Sequence, residues 1–208
     1  MSTNPEYTML RSLPNMLTIF RILAVIPLVY WLLNGEYFYA LMLAVIAGFT
    51  DLLDGLLARK FDWTSRFGRI LDPLADKLML VSLTLVLAYI GEFPMWLAVL
   101  VLLRDIVIVI GGVSYQRWVG PVEVSPFRLS KWNTALQILL VLFVMLRLNM
   151  FSLQFAGVEF VALTEHVLIW VVAITTAMSG SQYVLVWGGR ARRELAKKSK
   201  QSKTAEKQ

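Results

Sequence analysis

Six stretches of mostly apolar residues, each near the length that a helix needs to cross a bilayer, dominate this chain. A spanning helix takes about 20 such residues. Inside lipid the backbone must satisfy its own polar groups, and a helix does so within one segment. The stretches run roughly over 14–33, 37–60, 69–90, 94–117, 129–148 and 162–187. The sequence therefore predicts an all-α integral membrane protein with six transmembrane helices. Breaks fall at Asn34-Gly35, at Gly91 to Pro94, at Gly120-Pro121 with Pro126, and in the polar stretch near 149–159. A hydrophobic share of 58% and a mean hydropathy of +0.65 are too high for an ordinary soluble domain. One membrane domain over 1–188 and a basic cytoplasmic tail over 189–208 are expected. Pro14 stands near the start of the first span, and residues 5–12 are expected as a short separate helix on the membrane surface. The tail is expected to be disordered at its end. No basic leader with a cleavable apolar core precedes the first span, so that span is expected to be retained.

Lys and Arg placement sets the orientation. The tail carries Arg190, Arg192, Arg193, Lys197, Lys198, Lys200, Lys203 and Lys207. Arg59, Lys60, Arg66 and Arg69 lie around the second connection, and Arg117, Arg128 and Lys131 around the fourth. The first and third connections hold none, and the fifth only Arg147. Both termini are thus expected in the cytoplasm, in a multi-pass protein of the cell's inner (cytoplasmic) membrane. The basic tail is a topology signal and equally a surface for anionic membrane lipids, at about 1 kcal/mol per basic residue near the headgroups. No nucleic-acid partner is expected.

Against this apolar background stands D51-L-L-D54-G55-L-L-A58-R59, then eight residues, then G68-R-I-L-D72-P-L-A-D76. Carboxylates beside a bilayer are costly and usually functional. Asp51 and Asp54 are three apart and Asp72 and Asp76 four apart, so on helices each pair shares a face. Two helices could then aim four carboxylates at one point. The structural alternative is that each acid pairs with Arg59, Lys60, Arg66, Arg69 or Lys77 at the interface. Four clustered carboxylates repel one another unless a cation sits among them. Oxygen-only clusters suit Mg2+ or Mn2+, and two ions about 3.5–4 Å apart can share bridging carboxylates. A divalent metal in turn suits phosphate chemistry. Gly55 costs helix propensity, about 1 kcal/mol against alanine, and leaves room for a ligand near the backbone. Ala58 extends that smooth surface, and Gly68 brings the chain close to the ligand as it enters the third helix. Each glycine alone reads equally as close helix packing. Arg59 is a planar cation suited to phosphate oxygens, or by itself an interfacial anchor. With no cysteine and only His166 as histidine, thiolate and His-rich metal sites are excluded. His166 reads as a surface residue, and Trp31, Trp96, Trp170 and Trp187 as membrane-belt or packing residues.

The pattern D-x2-D-G-x2-A-R-x8-G-x3-D-x3-D, met here from Asp51 to Asp76 without mismatch, resembles the signature of the CDP-alcohol phosphotransferases. The likeness extends from about Pro14-Asn15 to about Gln137 and loosely to Gly188. It implies a six-helix membrane enzyme, usually a homodimer, with the site facing the cytoplasm. It implies that Asp51, Asp54 and Asp72 ligate metal and that Asp76, beside the same ions, is the general base on the acceptor hydroxyl. Gly55, Ala58 and Gly68 would line the CDP site and Arg59 would lie near the diphosphate. The run P14-N15-M-L-T18-I-F-R21 is similar to the family's first helix, so Asn15, Thr18 and Arg21 would help close the nucleotide site. Without the resemblance, the same run reads as a helix start with an interfacial polar cluster.

Two further segments bear on the acceptor. R104-D105 is similar to the Arg-Asp of the eukaryotic-type cardiolipin synthases, where the phosphatidylglycerophosphate synthases usually show Arg-Glu. S130-K131-W-N133-T134-A-L-Q137 is similar to the S-K-x-N-T-x-x-Q of the same subgroup; the other usually has a second lysine at the position of Asn133. Free glycerol 3-phosphate is a small dianion that a second lysine would help hold. Phosphatidylglycerol carries one charge and is already anchored in the bilayer, so Lys131 and Arg104 would serve it. Arg104, Lys131 and Asn133 are the expected acceptor contacts, with an intramembrane ion pair as the other reading of Arg104 and Asp105. The expected reaction is metal-dependent transfer from CDP-diacylglycerol to phosphatidylglycerol, giving cardiolipin and CMP; the alternative acceptor is glycerol 3-phosphate. A cation or proton transporter is the competing non-enzyme class. It fits less well, because the acids lie toward the cytoplasmic ends and come with a helix glycine, an arginine and a basic rim.

Overall fold

The computed structural model describes the backbone of residues 5–61, 68–89, 90–118, 128–149 and 158–205. The side chains of 5–15, 54–61, 68–74, 113–116 and 190–205, among others, lie outside the described set. The elements are α1 (Pro5–Leu33), α2 (Tyr37–Phe61), α3 (Gly68–Tyr89), α4 (Met95–Trp118), α5 (Arg128–Asn149) and α6 (Val158–Ala205). Among the described residues every regular element is a helix, as the apolar runs demanded. Two short links close in the same way. Gly35 and Gly91 take φ of 77° and 88°, a region open to glycine because it lacks a Cβ. At each, two bonds cap the preceding helix: Gly35 N to Leu32 O with Glu36 N to Trp31 O, and Gly91 N to Ala88 O with Glu92 N to Leu87 O. These are Schellman caps.

Two expectations change. The surface segment 5–12 is not separate: α1 runs unbroken from Pro5 through Pro14 and Pro27. Each proline removes one backbone bond, a loss that membrane helices tolerate where neighbouring helices, Ser or Thr side chains or a local adjustment of the helix satisfy the freed carbonyl. Nor is the tail irregular, for α6 continues to Ala205 over 48 residues. Gly188-Gly189 disfavours the helix by about 1 kcal/mol per residue, but extending an existing helix needs no new nucleus. The following Arg, Glu, Leu, Ala and Lys residues are all strong helix formers.

Four helices hold segments long and apolar enough to cross a membrane among the described residues: Met16–Leu33, Met95–Gly112, Arg128–Asn149 and Phe160–Val186. Tyr37–Leu53 of α2 is apolar but shorter. The described side chains of α2 and α3 run only over 37–53 and 75–89.

The chain forms two compact units. One holds α1, α2, α3 and the last turns of α5. There α1 packs against both α2 and α3. Its buried stripe is Thr18, Arg21, Val25, Leu28 and Leu32, at helical spacing. Fully buried Ala40 and Ala47 on α2 and Ala75 on α3 let backbones approach closely. Arg147 near the end of α5 pairs with Glu92 at 2.5 Å, and Asn149 Nδ2 donates to Tyr37 O at 3.1 Å. The other unit holds α4, the first turns of α5, and α6, with α4 packed on α6. Leu97, Ala98, Val101 and Arg104 face inward from α4; Ile169, Val172, Thr176, Ser179 and Tyr183 do so from α6. Large apolar side chains such as Ile26, Ile110 and Leu163 point outward, as lipid solvation permits.

Candidate active site

The buried stripe of α1 starts polar. Thr18 and Arg21 are each 1% exposed, three residues apart and therefore on one face. A guanidinium so buried needs anions, and α2 and α3 supply them. Arg21 Nη1 donates to Asp51 Oδ1 at 2.6 Å and, through the same nitrogen, to Asp76 Oδ1. The two acids of different helices thus meet at one cation. Local packing places them: Asp51 lies one turn beyond buried Ala47, and Asp76 adjoins buried Ala75.

The carboxylates remain 44% and 49% exposed, while Arg21 is 2% exposed at its side chain. Asp54 and Asp72 lie within α2 and α3, three and four residues from Asp51 and Asp76, and add two more acids to those helices. Their side chains, like those of Asn15, Ala58 and Arg59 and the positions Gly55 and Gly68, lie outside the described set. Among the described residues no group of three or more acidic, histidine or cysteine side chains is placed to hold a metal ion; Asp51 and Asp76 supply two carboxylates, the oxygen donor type that suits a hard divalent cation. Asp76, half-exposed, is also open to exchange a proton with a ligand.

The two segments that bear on the acceptor prove to be one hydrogen-bonded cluster. Arg104, 6% exposed, pairs with Asp105 at 2.6 Å and donates through Nη2 to Ser130 Oγ and, at 3.0 Å, to Ser179 Oγ. Gly180, beside Ser179, faces the arginine stem; a Cβ there would lie 3.6 Å from Arg104 Cγ, an ordinary van der Waals contact. Lys131 is exposed. Asn133 is fully buried, and its Oδ1 accepts from Thr175 at 2.8 Å and Thr176 at 3.0 Å. Asn133 therefore also ties α5 to α6, a role that spacing alone does not suggest.

Sequence reasoning places Arg21, with Asn15 and Thr18, in the first-helix run expected to help close the nucleotide site. Its role as the cation shared by Asp51 and Asp76 needs three helices in place, though an arginine within an apolar span was the available signal. Ser179, Thr175 and Thr176 were not singled out, since hydroxyls in a membrane helix commonly bond their own backbone.

Residues 11–187 match the family model described as CDP-alcohol phosphatidyltransferase. A cardiolipin synthase (CMP-forming)/mitochondrial hydrolase fusion protein of Schizosaccharomyces pombe is 38% identical over 192 residues, which cover 84% of this chain and 31% of that protein. A probable cardiolipin synthase (CMP-forming) of Drosophila melanogaster is 36% identical over 61% of this chain and 44% of its own length. This chain thus spans less than half the length of both. A CDP-diacylglycerol–glycerol-3-phosphate 3-phosphatidyltransferase of Haemophilus influenzae is 33% identical, covering 86% of this chain and 94% of that protein. Because the match takes in the three helices that carry Arg21, Asp51 and Asp76 as well as the Arg104 cluster, the chain belongs to the CDP-alcohol phosphatidyltransferase family.

Proposed function

We propose that this chain transfers a phosphatidyl group from CDP-diacylglycerol to phosphatidylglycerol, giving cardiolipin and CMP. The observation that carries this reading is the meeting of Asp51 and Asp76 on one nitrogen of Arg21, within a motif that is intact in the sequence. In the reaction the acceptor hydroxyl oxygen bonds to the β-phosphorus, the bond from that phosphorus to the bridging oxygen breaks, and CMP leaves with it. Asp76 takes the hydroxyl proton; its half-exposed carboxylate suits the task. Asp51, Asp54, Asp72 and Asp76 would hold two Mg2+ or Mn2+ ions, which when bound neutralise the diphosphate and the departing CMP. Gly55, Ala58, Arg59, Gly68, Asn15 and Thr18 take the CDP moiety. Lys131 and Arg104 attract the acceptor's phosphate, and Asn133 holds the α5–α6 wall beside them.

The enzyme sits in the cytoplasmic membrane with six spans, its termini and active site on the cytoplasmic side, and works as a homodimer. The membrane domain over 1–188 carries the chemistry, and 189–208 is the cytoplasmic tail. The basic residues around the second and fourth connections and in the tail support this orientation. A second reading, glycerol 3-phosphate as acceptor, is favoured by the Haemophilus influenzae relative, which matches over nearly its whole length. Asn133 in place of a second lysine favours phosphatidylglycerol. The test is product analysis of the purified protein with Mn2+, CDP-diacylglycerol, and both acceptors in competition. A product with four acyl chains is expected; a phosphomonoester product refutes the choice of acceptor.

A further inference from the structure

Along α5 the buried face starts polar and ends apolar. Half-buried Ser130 comes first, then Asn133 at 0% and Gln137 at 3% exposure, and after them Leu140, Val141 and Val144. Ser130 accepts a hydrogen bond from Arg104, and Asn133 Oδ1 accepts from Thr175 and Thr176. The amide nitrogens Nδ2 of Asn133 and Nε2 of Gln137, one turn apart, are buried with no partner among the described residues. An unpaired N–H within a span is costly, because the lipid core offers no water to satisfy it. For packing alone, an apolar side chain of similar shape would serve this position at least as well.

Depth narrows what the amides could meet. Gln137 lies six residues beyond exposed Lys131, about 9 Å along the helix axis. The headgroup layer on each side of the hydrocarbon is about 5–8 Å thick. With Lys131 among the headgroups, where the orientation read from charge puts it, Gln137 stands at the foot of that layer. This is the level of the glycerol esters of a diacyl phospholipid, whose carbonyls accept hydrogen bonds and have no donor of their own.

We propose that the Gln137 amide, with that of Asn133 one turn nearer the headgroups, donates to a glycerol-ester carbonyl of a diacyl phospholipid substrate. The proposal rests on the phosphatidyltransferase reading above, which brings two such lipids, CDP-diacylglycerol and phosphatidylglycerol, to this protein. Both carry the same ester, so the chemistry recognised is common to them. The buried face of α5 then runs in the order of the lipid itself: cations near the phosphate, amides at the esters, Leu140 and Val144 along the acyl chains. The glutamine's side-chain torsions let its amide turn to the carbonyl without a change of backbone. Glycerol 3-phosphate has no ester and leaves Gln137 unpaired, so the contact also favours a lipid acceptor over the soluble one.

The test compares ester-linked with ether-linked substrates, since an ether keeps the chains and removes the carbonyls. CMP release by the purified full chain in mixed micelles with Mn2+ gives kcat/KM for diacyl and dialkyl phosphatidylglycerol at fixed CDP-diacylglycerol. A second series compares CDP-diacylglycerol with CDP-dialkylglycerol. Wild type should prefer the ester about fivefold or more in one series, the effect of one hydrogen bond to a buried donor. In Gln137→Met that preference should fall below about twofold, through a higher KM for the ester. The unfolding temperature should stay level or rise, because an unpaired amide has been removed. Loss of preference in the first series assigns the contact to the acceptor; loss in the second assigns it to the nucleotide-linked lipid. An amide that only braced the helices would lower the unfolding temperature and leave the preference intact; a preference that survives in Gln137→Met overturns the proposal. So does a wild type that takes ester and ether equally in both series, a result that stands even if Gln137→Met fails to fold. If wild type uses glycerol 3-phosphate alone, the choice of acceptor fails and the second series decides the proposal. If it releases no CMP with either acceptor, the phosphatidyltransferase reading fails and this proposal with it.

Discussion

Replacing Arg104 by methionine keeps most of its volume and removes its charge and donors. The loss can be worked through contact by contact. Nε and Nη2 both reach Ser179 Oγ, at 3.3 and 3.0 Å, and count as one partner; Ser130 is a second. Polar contacts between membrane helices average about 0.6 kcal/mol and reach about 1.7, so the two hydroxyls together contribute about 1–3 kcal/mol. Breaking a buried ion pair by removing one partner costs about 3–5 kcal/mol, because a charge is left behind. Asp105 is 13% exposed at its side chain and has further interactions, which places its share at the low end. Arg104→Met should then lose about 4–6 kcal/mol. Asp105→Asn leaves Arg104 its two hydroxyls and should lose about 2–3 kcal/mol. The double variant strands neither charge and should fall short of the sum by about 2–3 kcal/mol. Reversible unfolding in mixed micelles, followed by tryptophan fluorescence, measures all three. A coupling below about 0.5 kcal/mol would refute the view that the Arg104–Asp105 charges, rather than side-chain bulk, brace α4 against α5 and α6.

Asp76→Asn should cut CMP release by about 100-fold or more while folding and CDP-diacylglycerol binding persist, as read by a radiolabelled CMP assay beside a binding assay; normal turnover would remove Asp76 from the role of base. Chelation of divalent ions should abolish CMP release, and added Mn2+ should restore it; activity that survives exhaustive chelation contradicts the metal role. Leu28→Ala, at a fully buried position where α1 meets α2 and α3, should cost about 2–4 kcal/mol in the same unfolding measurement.

Helix positions were legible because lipid leaves the backbone few alternatives, and the ends of α2, α3, α4 and α5 lie within a few residues of those read from apolar runs. The errors came where that constraint lapses. Outside the bilayer, the basic stretch after Gly189 could have been coil, and only its composition of helix formers keeps it in α6. At the other end, Pro14 is a breaker by local rules, and α1 runs past it. For the site, periodicity put Asp51 and Asp54 on one face and Asp72 and Asp76 on another. It could not say which cation lies between Asp51 and Asp76, because Arg21 is 30 residues before the nearer of them. The same holds for Asn133. Its spacing from Ser130 and Gln137 marks a helix face, but its bonds to Thr175 and Thr176 depend on how α6 returns beside α5.

The unbroken helix beyond Trp187 has a reach that can be measured. At 1.5 Å per residue, 188–205 adds about 27 Å of rod if it stays straight. Counter-ions in physiological salt blunt a surface field within about 8 Å. Standing along the bilayer normal, such a rod would hold Lys200 and Lys203 about two to three screening lengths past Val186, where the apolar stretch ends, so only the first of its cations would sense lipid charge. A label near the C-terminus would then sit clear of the bilayer and report on salt far less than one at Arg190.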